Sequence, residues 1–285
     1  MSTVVGIVGL GVMGSAMAGH IVRGGYDVRG FDLDADKVAA FAGTGMTSVA
    51  EVAQVCDIVL LSLPTPQALA AVAEEIASVG HDGLIVVEMG TLGLADKIRA
   101  RDVLAPCGVV VLDAPVSGTG LQAADASLVV YCSGPSDAYQ RLQPVFALIA
   151  KKSYDLGEFG NGSKMKFVAN LLVAVHTLAT AEAHALGAAA GLDPDVVQEV
   201  IGSGVGSSRI FDIRGPMVAA ATYEPPSARL AIIAKDADVI AGFARDVHAL
   251  TPLLDAAIPL YQQGLAEGIG DLDAAALRTL FPPSH

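Results

Sequence analysis

The most unusual cation in this 285-residue chain is Lys166. It follows the glycine-bounded stretch Gly160-Asn161-Gly162 and sits at the start of a long, largely apolar run, with Asn170 four residues further on. The run reads as one helix from Ser163 to about Ala190, hydrophobic over most of its circumference, which marks it for burial on several sides. Positions i and i+4 of a helix share a face about 6 Å apart along the axis, so Lys166 and Asn170 can meet the same small molecule. A lysine so placed can move a proton once burial lowers its pKa toward working pH. Neighbouring Lys164 reads as a solvated lysine. The histidines of this helix, His176 and His184, lack acidic or Cys partners at metal-ligand spacing, so no metal site is expected.

A second constellation stands at the other end of the chain. Gly9-Leu10-Gly11-Val12-Met13-Gly14 follows the β-branched run Val4 to Val8 and opens a helical pattern to about Arg23. The segment Tyr26 to Asp32 then reads as a strand with an acid at its end. Strand, glycine turn, helix, strand and acid is the context in which G-x-G-x-x-G binds a dinucleotide. Gly9 permits the tight turn, Gly11 lets backbone approach a pyrophosphate, and Gly14 lets helix and strand pack closely. The free N–H groups and positive end of the helix face the phosphates. Asp32 can accept hydrogen bonds from both ribose hydroxyls and repels a 2′-phosphate, which favours NAD over NADP. Arg29, inside the strand, is poorly placed to reverse that choice.

The elements that position these groups alternate through the first half of the chain. Strands are expected at Asp57 to Leu63, Leu84 to Glu88, Val109 to Leu112 and Ser127 to Cys132. Helices fall between them, and one near Asp137 to Ile149 closes the domain. The pattern predicts a mostly parallel, doubly wound sheet covered on both faces. Leu63-Pro64 lies at the carboxyl end of a parallel strand, where ligands bind in such sheets. The loop Asp113 to Gly120 offers backbone N–H groups and the Ser117 hydroxyl to an anion such as a carboxylate. From Pro194 to Phe281 the periodicity is helical, with no convincing strand. Arg209 in this part can meet a carboxylate bidentately. The boundaries read as residues 1–162 for a dinucleotide domain and 163–285 for an all-helical one serving substrate and oligomer, joined through the long helix.

Composition narrows the partners. A net charge of −13 argues against nucleic acid and anionic membrane surfaces. The chain is 53% hydrophobic with only 16% charged residues, and its mean hydropathy is +0.54. So apolar a chain suggests subunit burial, as a homodimer or homotetramer. Cys56, Cys107 and Cys132 are scattered without C-x-x-C spacing, and the apolar N-terminus lacks the basic start of a signal peptide. A cytoplasmic protein with no transmembrane segment is the expectation.

Taken together, these motifs resemble the β-hydroxyacid dehydrogenase family, and the likeness runs over essentially the whole chain. Gly9 to Gly14 matches that family's cofactor fingerprint, Asp113-Ala114-Pro115-Val116-Ser117-Gly118 its substrate loop, Gly160-Asn161-Gly162 with Lys166 its catalytic motif, Lys235-Asp236 its helical-domain pair, and Gly268 to Asp273 its C-terminal motif. The resemblance implies a Rossmann-type sheet followed by an all-α domain. It also implies an NAD-dependent enzyme interconverting a small 3-hydroxy acid and its semialdehyde or keto form. Lys166 would be the acid/base; Asn170 and Ser117, Gly118 and Thr119 would hold the substrate. Thr91 and Lys235 would lie by the cofactor, beside Gly9, Leu10, Gly11, Val12, Met13, Gly14, Asp32, Leu63 and Pro64. The chain departs from the family at Thr119, where a second glycine is usual, at Gln122 and Ala126, also usually glycine, and at Ala169, often Asn. These changes keep open a reductase of an imine or bulkier carbonyl. A dinucleotide-binding protein without catalysis is the third alternative.

Overall fold

A computed structural model describes residues 3–281. The chain divides into two compact units, Met1–Lys166 and Phe167–His285. The first opens with β1 (Val4–Val8), α1 (Val12–Arg23), β2 (Asp27–Phe31), α2 (Ala35–Ala39), β3 (Thr44–Gly45) and α3 (Val49–Val55). It continues through β4 (Ile58–Leu61), α4 (Pro66–Ala77), β5 (Ile85–Glu88), α5 (Leu94–Leu104) and β6 (Val110–Asp113). These six strands form one parallel sheet in the order β3-β2-β1-β4-β5-β6. Strand order reverses between β1 and β4, and the carboxyl ends of strands at such a switch point frame a crevice.

Both faces of this sheet are buried, and the alternation of side chains shows it. On β4, Ile58 and Leu60 join one apolar cluster with Met17 and Ile21 of α1. Val59 and Leu61 join the other, with Val52 of α3 and Leu69 of α4. On β5, Ile85 and Val87 divide from Val86 in the same way. A strand with apolar residues at every position must face two cores, since successive side chains point to opposite sides. Helices start where capping residues stand. Ser48 accepts from the Glu51 N–H, and Thr65 accepts from the Ala68 N–H just before Pro66 at the first helical position.

The expected strand near Ser127 to Cys132 does form, but it does not extend the main sheet. After β7 (Val116–Ser117) and α6 (Gly120–Ala124) comes β8 (Leu128–Cys132), then α7 (Ser136–Ile149) and β9 (Ala150–Asp155). β8 is the middle of a separate three-stranded sheet, antiparallel to β7 and parallel to β9. The sequence of β9, Ala-Lys-Lys-Ser-Tyr-Asp, is mostly exposed and carries no apolar alternation, so only its pairing reveals it.

The helix α8 (Asn161–Ala189) spans the division between the units. It is the one described helix long and apolar enough to cross a bilayer by length and composition. Six of its residues, Ser163, Lys166, Asn170, Thr177, Thr180 and His184, are nevertheless buried and polar. The second unit continues with α9 (Pro194–Gly202), α10 (Arg209–Ala219), α11 (Leu230–Asp246), α12 (Pro252–Ala266) and a 3-10 helix, Ala274–Leu280. Its apolar centre includes Leu230, Ala234 and Ala237 of α11, Leu254 and Tyr261 of α12, and Leu277. The Tyr261 hydroxyl donates to the Ala174 carbonyl (2.9 Å), and burial pushes that phenol's pKa well up.

Candidate active site

At the end of β1 the chain turns through Gly9, whose φ is +95° and whose N–H donates to the Phe31 carbonyl (2.9 Å). A Cβ on Gly9 would strike the Ser62 carbonyl, and one on Gly14 would strike the Gly9 carbonyl. These two glycines let strand and helix crowd together. Gly11 differs, because a Cβ there would meet nothing within 4 Å. It heads α1 without a side-chain cap, and no acid stands in the first turn. The positive end of the helix, with Val12 exposed and Met13 beside it, therefore opens onto accessible ground.

Asp32 stands just past β2. Its Oδ2 accepts the Leu10 N–H (2.7 Å) and its Oδ1 the Asp34 N–H (2.9 Å). An ionised carboxylate has about four acceptor positions, so both oxygens retain capacity for ribose hydroxyls. The frame has room for a dinucleotide: nothing stands where a Cβ of Gly11 would be, and Gly11 and Asp32 are the residues that would hold one. Arg29 pairs with Asp27 (2.7 Å), at the far end of β2 from Asp32. Lys37, a cation with no assigned part in the sequence reading, lies 3.7 Å from Asp32 and 3.4 Å from Asp34.

The loops after β4 and β5 leave the same sheet, and the one after β7 leaves the three-stranded sheet. Leu63, half-buried, and Pro64, exposed, follow β4; Thr91, half-buried, follows β5. Ser117 ends β7, and Gly118 adopts φ +145° with Leu128 filling the space a Cβ would need. Thr119 caps α6 in a reciprocal arrangement. Its hydroxyl accepts the Gln122 N–H (3.4 Å), and its N–H donates to Gln122 Oε1 (3.0 Å). Two of the departures from the family pattern, Thr119 and Gln122, are thus partners of each other. A third, Ala126, holds φ +52°, a conformation in which glycine is unstrained.

Beneath these loops lies a buried charged network absent from the sequence reading. The Lys97 ammonium sits 2.5 Å from Glu88 Oε2 and 2.9 Å from Asp113 Oδ1, and donates to the Gly90 carbonyl (2.8 Å). Burial opposes its charge, but the two carboxylates overcome that and raise its pKa. Burial and the negative Asp113 raise the Glu88 carboxyl, despite the pull of Lys97. Asp113 also accepts the Ser163 N–H (2.7 Å) and hydroxyl (2.7 Å), which fixes the first turn of α8.

Three residues beyond Ser163, Lys166 is 8% exposed, and Asn170, one turn further, is 9% exposed, whereas Met165 and Val168 lie open. In the second unit, Asn170 Nδ2 donates to Asp236 Oδ2 (2.7 Å), while Lys235, exposed, holds Asp236 Oδ1 at 3.0 Å. Arg209 is the exposed first residue of α10. The buried guanidinium of this unit is Arg214, bonded to Asp273 (3.1 Å) and to the Thr177 hydroxyl (3.0 Å). His184 packs against Phe211 with centroids 5.5 Å apart, and burial lowers its pKa. Burial likewise pushes the Cys56 and Cys132 thiols up to about 12, leaving them unreactive.

The sheet order and the glycine turn at the end of β1 define a dinucleotide-binding fold. Residues 4–157 match the family profile of the NAD binding domain of 6-phosphogluconate dehydrogenase. Residues 160–281 match that described as NAD-binding of NADP-dependent 3-hydroxyisobutyrate dehydrogenase. The L-threonate dehydrogenase of Cupriavidus necator is 36% identical over 99% of this chain and 97% of its own. A solved 3-hydroxyisobutyrate dehydrogenase from Salmonella typhimurium superposes with a TM-score of 0.88 at 31% identity, covering 98% of this chain and 100% of that one. The Mycobacterium tuberculosis 3-hydroxyisobutyrate dehydrogenase, solved with L-serine, reaches 0.90 at 26% identity over 98% and 99%. The chain belongs to the β-hydroxyacid dehydrogenase family and acts on CH–OH groups with a nicotinamide dinucleotide.

Proposed function

We propose that the protein is an NAD-dependent dehydrogenase of a small 3-hydroxy acid, running in reverse on the semialdehyde or keto form, with Lys166 as general acid/base. The observation that carries this is the burial of Lys166 and Asn170 one turn apart on α8, where the intervening Val168 faces outward. When bound, the dinucleotide accepts the hydride from the carbinol carbon. Lys166 takes the hydroxyl proton as the carbonyl forms and returns it in reduction. Asn170 orients the substrate; Asp236 occupies one amide hydrogen and so fixes which way the amide faces. Ser117, the backbone at Gly118 and Thr119, and Arg209 receive the carboxylate. Asp32 selects NAD, since Lys37 is already shared between Asp32 and Asp34 and is poorly placed to welcome a 2′-phosphate. Lys235, by its resemblance to the family pair, serves the cofactor end. Met165, Val168, Leu172 and Leu186 are exposed along α8 and support assembly as a homodimer or homotetramer, which light scattering checks.

Oxidation of L-threonate, 3-hydroxyisobutyrate and L-serine with NAD and NADP, followed at the nicotinamide absorbance, tests the reading. Turnover should favour NAD by roughly tenfold or more in kcat/KM. Lys166→Ala should lower kcat at least about a hundredfold, while dinucleotide affinity stays unchanged. Tight NAD binding with no turnover across a wider panel of hydroxy acids would sink the proposal, as would a Lys166→Ala variant that loses only its fold.

A further inference from the structure

We propose that Lys97 is a positioning residue for the reaction: its buried ammonium braces the loops after β5 and β6 so that α8 begins in one fixed place. The role of α8 in this rests on Lys166 being the base. The Lys97 side chain is fully buried; its ammonium donates to Asp113 Oδ1 and to the Gly90 carbonyl and forms an ion pair with Glu88 Oε2. Glu88 and Asp113 are the last residues of β5 and β6. Gly90, whose own N–H donates to Glu88 Oε1 (2.9 Å), immediately precedes Thr91. Asp113 opens the loop that carries Ser117.

From Asp113 the bonding passes directly to α8. Both the N–H and the hydroxyl of Ser163 are donated to its carboxylate. The Ser133 hydroxyl, itself 3.2 Å from the Asp113 carbonyl, accepts the N–H groups of Gly160 (3.2 Å) and Gly162 (2.9 Å). A Cβ on Gly162 would collide with the Tyr131 carbonyl, so the turn has no freedom on that side either. Lys166 follows within one helical turn. One ammonium therefore sets the start of three segments: the Gly90-Thr91 loop, the Asp113 to Gly118 loop and the helix bearing the base.

The chemistry of the network favours positioning over stability alone. Two buried carboxyl groups share one lysine. An apolar cluster of equal volume commonly stabilises a fold as well or better. What the ionic arrangement supplies is direction, because each bond holds a named backbone segment at hydrogen-bond distance.

The test compares wild type with Lys97→Met, using the best substrate of the panel, dinucleotide affinity and amide hydrogen exchange. The expected result is a kcat fall of about a hundredfold, the scale of an ångström-sized misplacement of a catalytic group. Dinucleotide affinity should fall less than kcat, since only the Gly90-Thr91 loop among these segments is at the cofactor end, and exchange should accelerate only in residues 88–94, 113–118 and 160–166. Unchanged kcat, or acceleration spread evenly through β1, β2 and β4, overturns the proposal. If Lys97→Met does not fold, Ser163→Ala decides, with kcat expected to fall about tenfold. An unaltered kcat there is equally fatal. Should wild type turn over no hydroxy acid, the dehydrogenase reading fails by itself. The exchange pattern then still decides whether Lys97 braces these segments.

Discussion

Each unit of the molecule holds a fully buried aspartate that ties distant segments together, Asp113 in the first and Asp273 in the second, and the two are chemically close to matched. Asp113 accepts the N–H and hydroxyl of Ser163, at 2.7 Å each. Asp273 accepts the N–H (2.8 Å) and hydroxyl (2.6 Å) of Ser227. Each is bonded to a buried base, Lys97 and Arg214 respectively. The difference lies in what surrounds the pair. Asp273 balances one guanidinium and takes further N–H groups from Ala228 (3.1 Å) and Ala275 (2.9 Å), joining segments that carry, of the proposed substrate contacts, only Arg209 at the start of α10. Asp113 shares its ammonium with a second acid and joins segments that carry the candidate site. On the positioning role proposed for Lys97, the Asp273 centre holds its unit together, whereas the Asp113 centre sets the direction of the segments it touches.

The largest separation should come from removing the two bases. Arg214→Met leaves Asp273 charged and its guanidinium bond lost, and breaking a buried pair in this way costs about 3–5 kcal/mol. The denaturant midpoint of the second unit should fall accordingly, with NAD binding preserved. Lys97→Met should show the reverse emphasis, with kcat hit harder than stability, because Glu88 can take up a proton when its partner goes. Equal stability losses with equal kcat losses would erase the distinction.

Acid should separate the units by sign. Burial works against ionised Asp273, but the Ser227 hydroxyl, the Ala275 N–H and Arg214 outweigh it and hold its pKa below the ordinary 3.8. Its contribution is present above pH 3.8 and is lost as pH falls through the lower folded value. Glu88 is the opposite case, with burial raising it above the ordinary 4.5. Ionised Glu88 weakens the fold above its raised value, and that cost is relieved as pH falls toward 4.5. Urea unfolding from pH 7 to 2.5 should show Asp273→Asn flattening the decline of the second unit below about pH 4. Glu88→Gln should remove the gain of the first unit as pH falls toward 4.5.

How much of this was legible beforehand follows from what leaves a trace in sequence. Continuous apolar runs at β4 and β5 announce strands, and Gly9, Gly11, Gly14 and Asp32 announce their use by spacing alone. Lys166 stands out because its surroundings are apolar. Lys97 does not: in Leu-Ala-Asp-Lys-Ile-Arg-Ala-Arg-Asp it is one charge among several, on a helix that reads as a solvated face. Its burial is decided by β5 and β6, whose ends bring Glu88 and Asp113 to it from nine residues before and sixteen after. Asp273 is similarly hidden, since its partners at Arg214 and Ser227 are far away in sequence. Thr119 and Gln122 look like two unrelated losses of glycine until the capping geometry joins them. Buried polar networks are long-range by construction, and local pattern carries little trace of them.

The finest test uses the two serines, because their bonds are nearly identical. Ser163→Ala and Ser227→Ala each delete one hydroxyl that donates to a buried carboxylate, and each leaves the backbone N–H of the same residue donating to that acid. Hydrogen bonds to charged groups contribute about 1.5–3 kcal/mol, so the two variants should lose similar stability within their own units. Only Ser163→Ala should lower kcat, because only Asp113 sets the first turn of the helix that carries Lys166. If Ser227→Ala slows turnover as much as Ser163→Ala does, both aspartates serve the reaction alike, and the contrast between a holding centre and a directing one collapses.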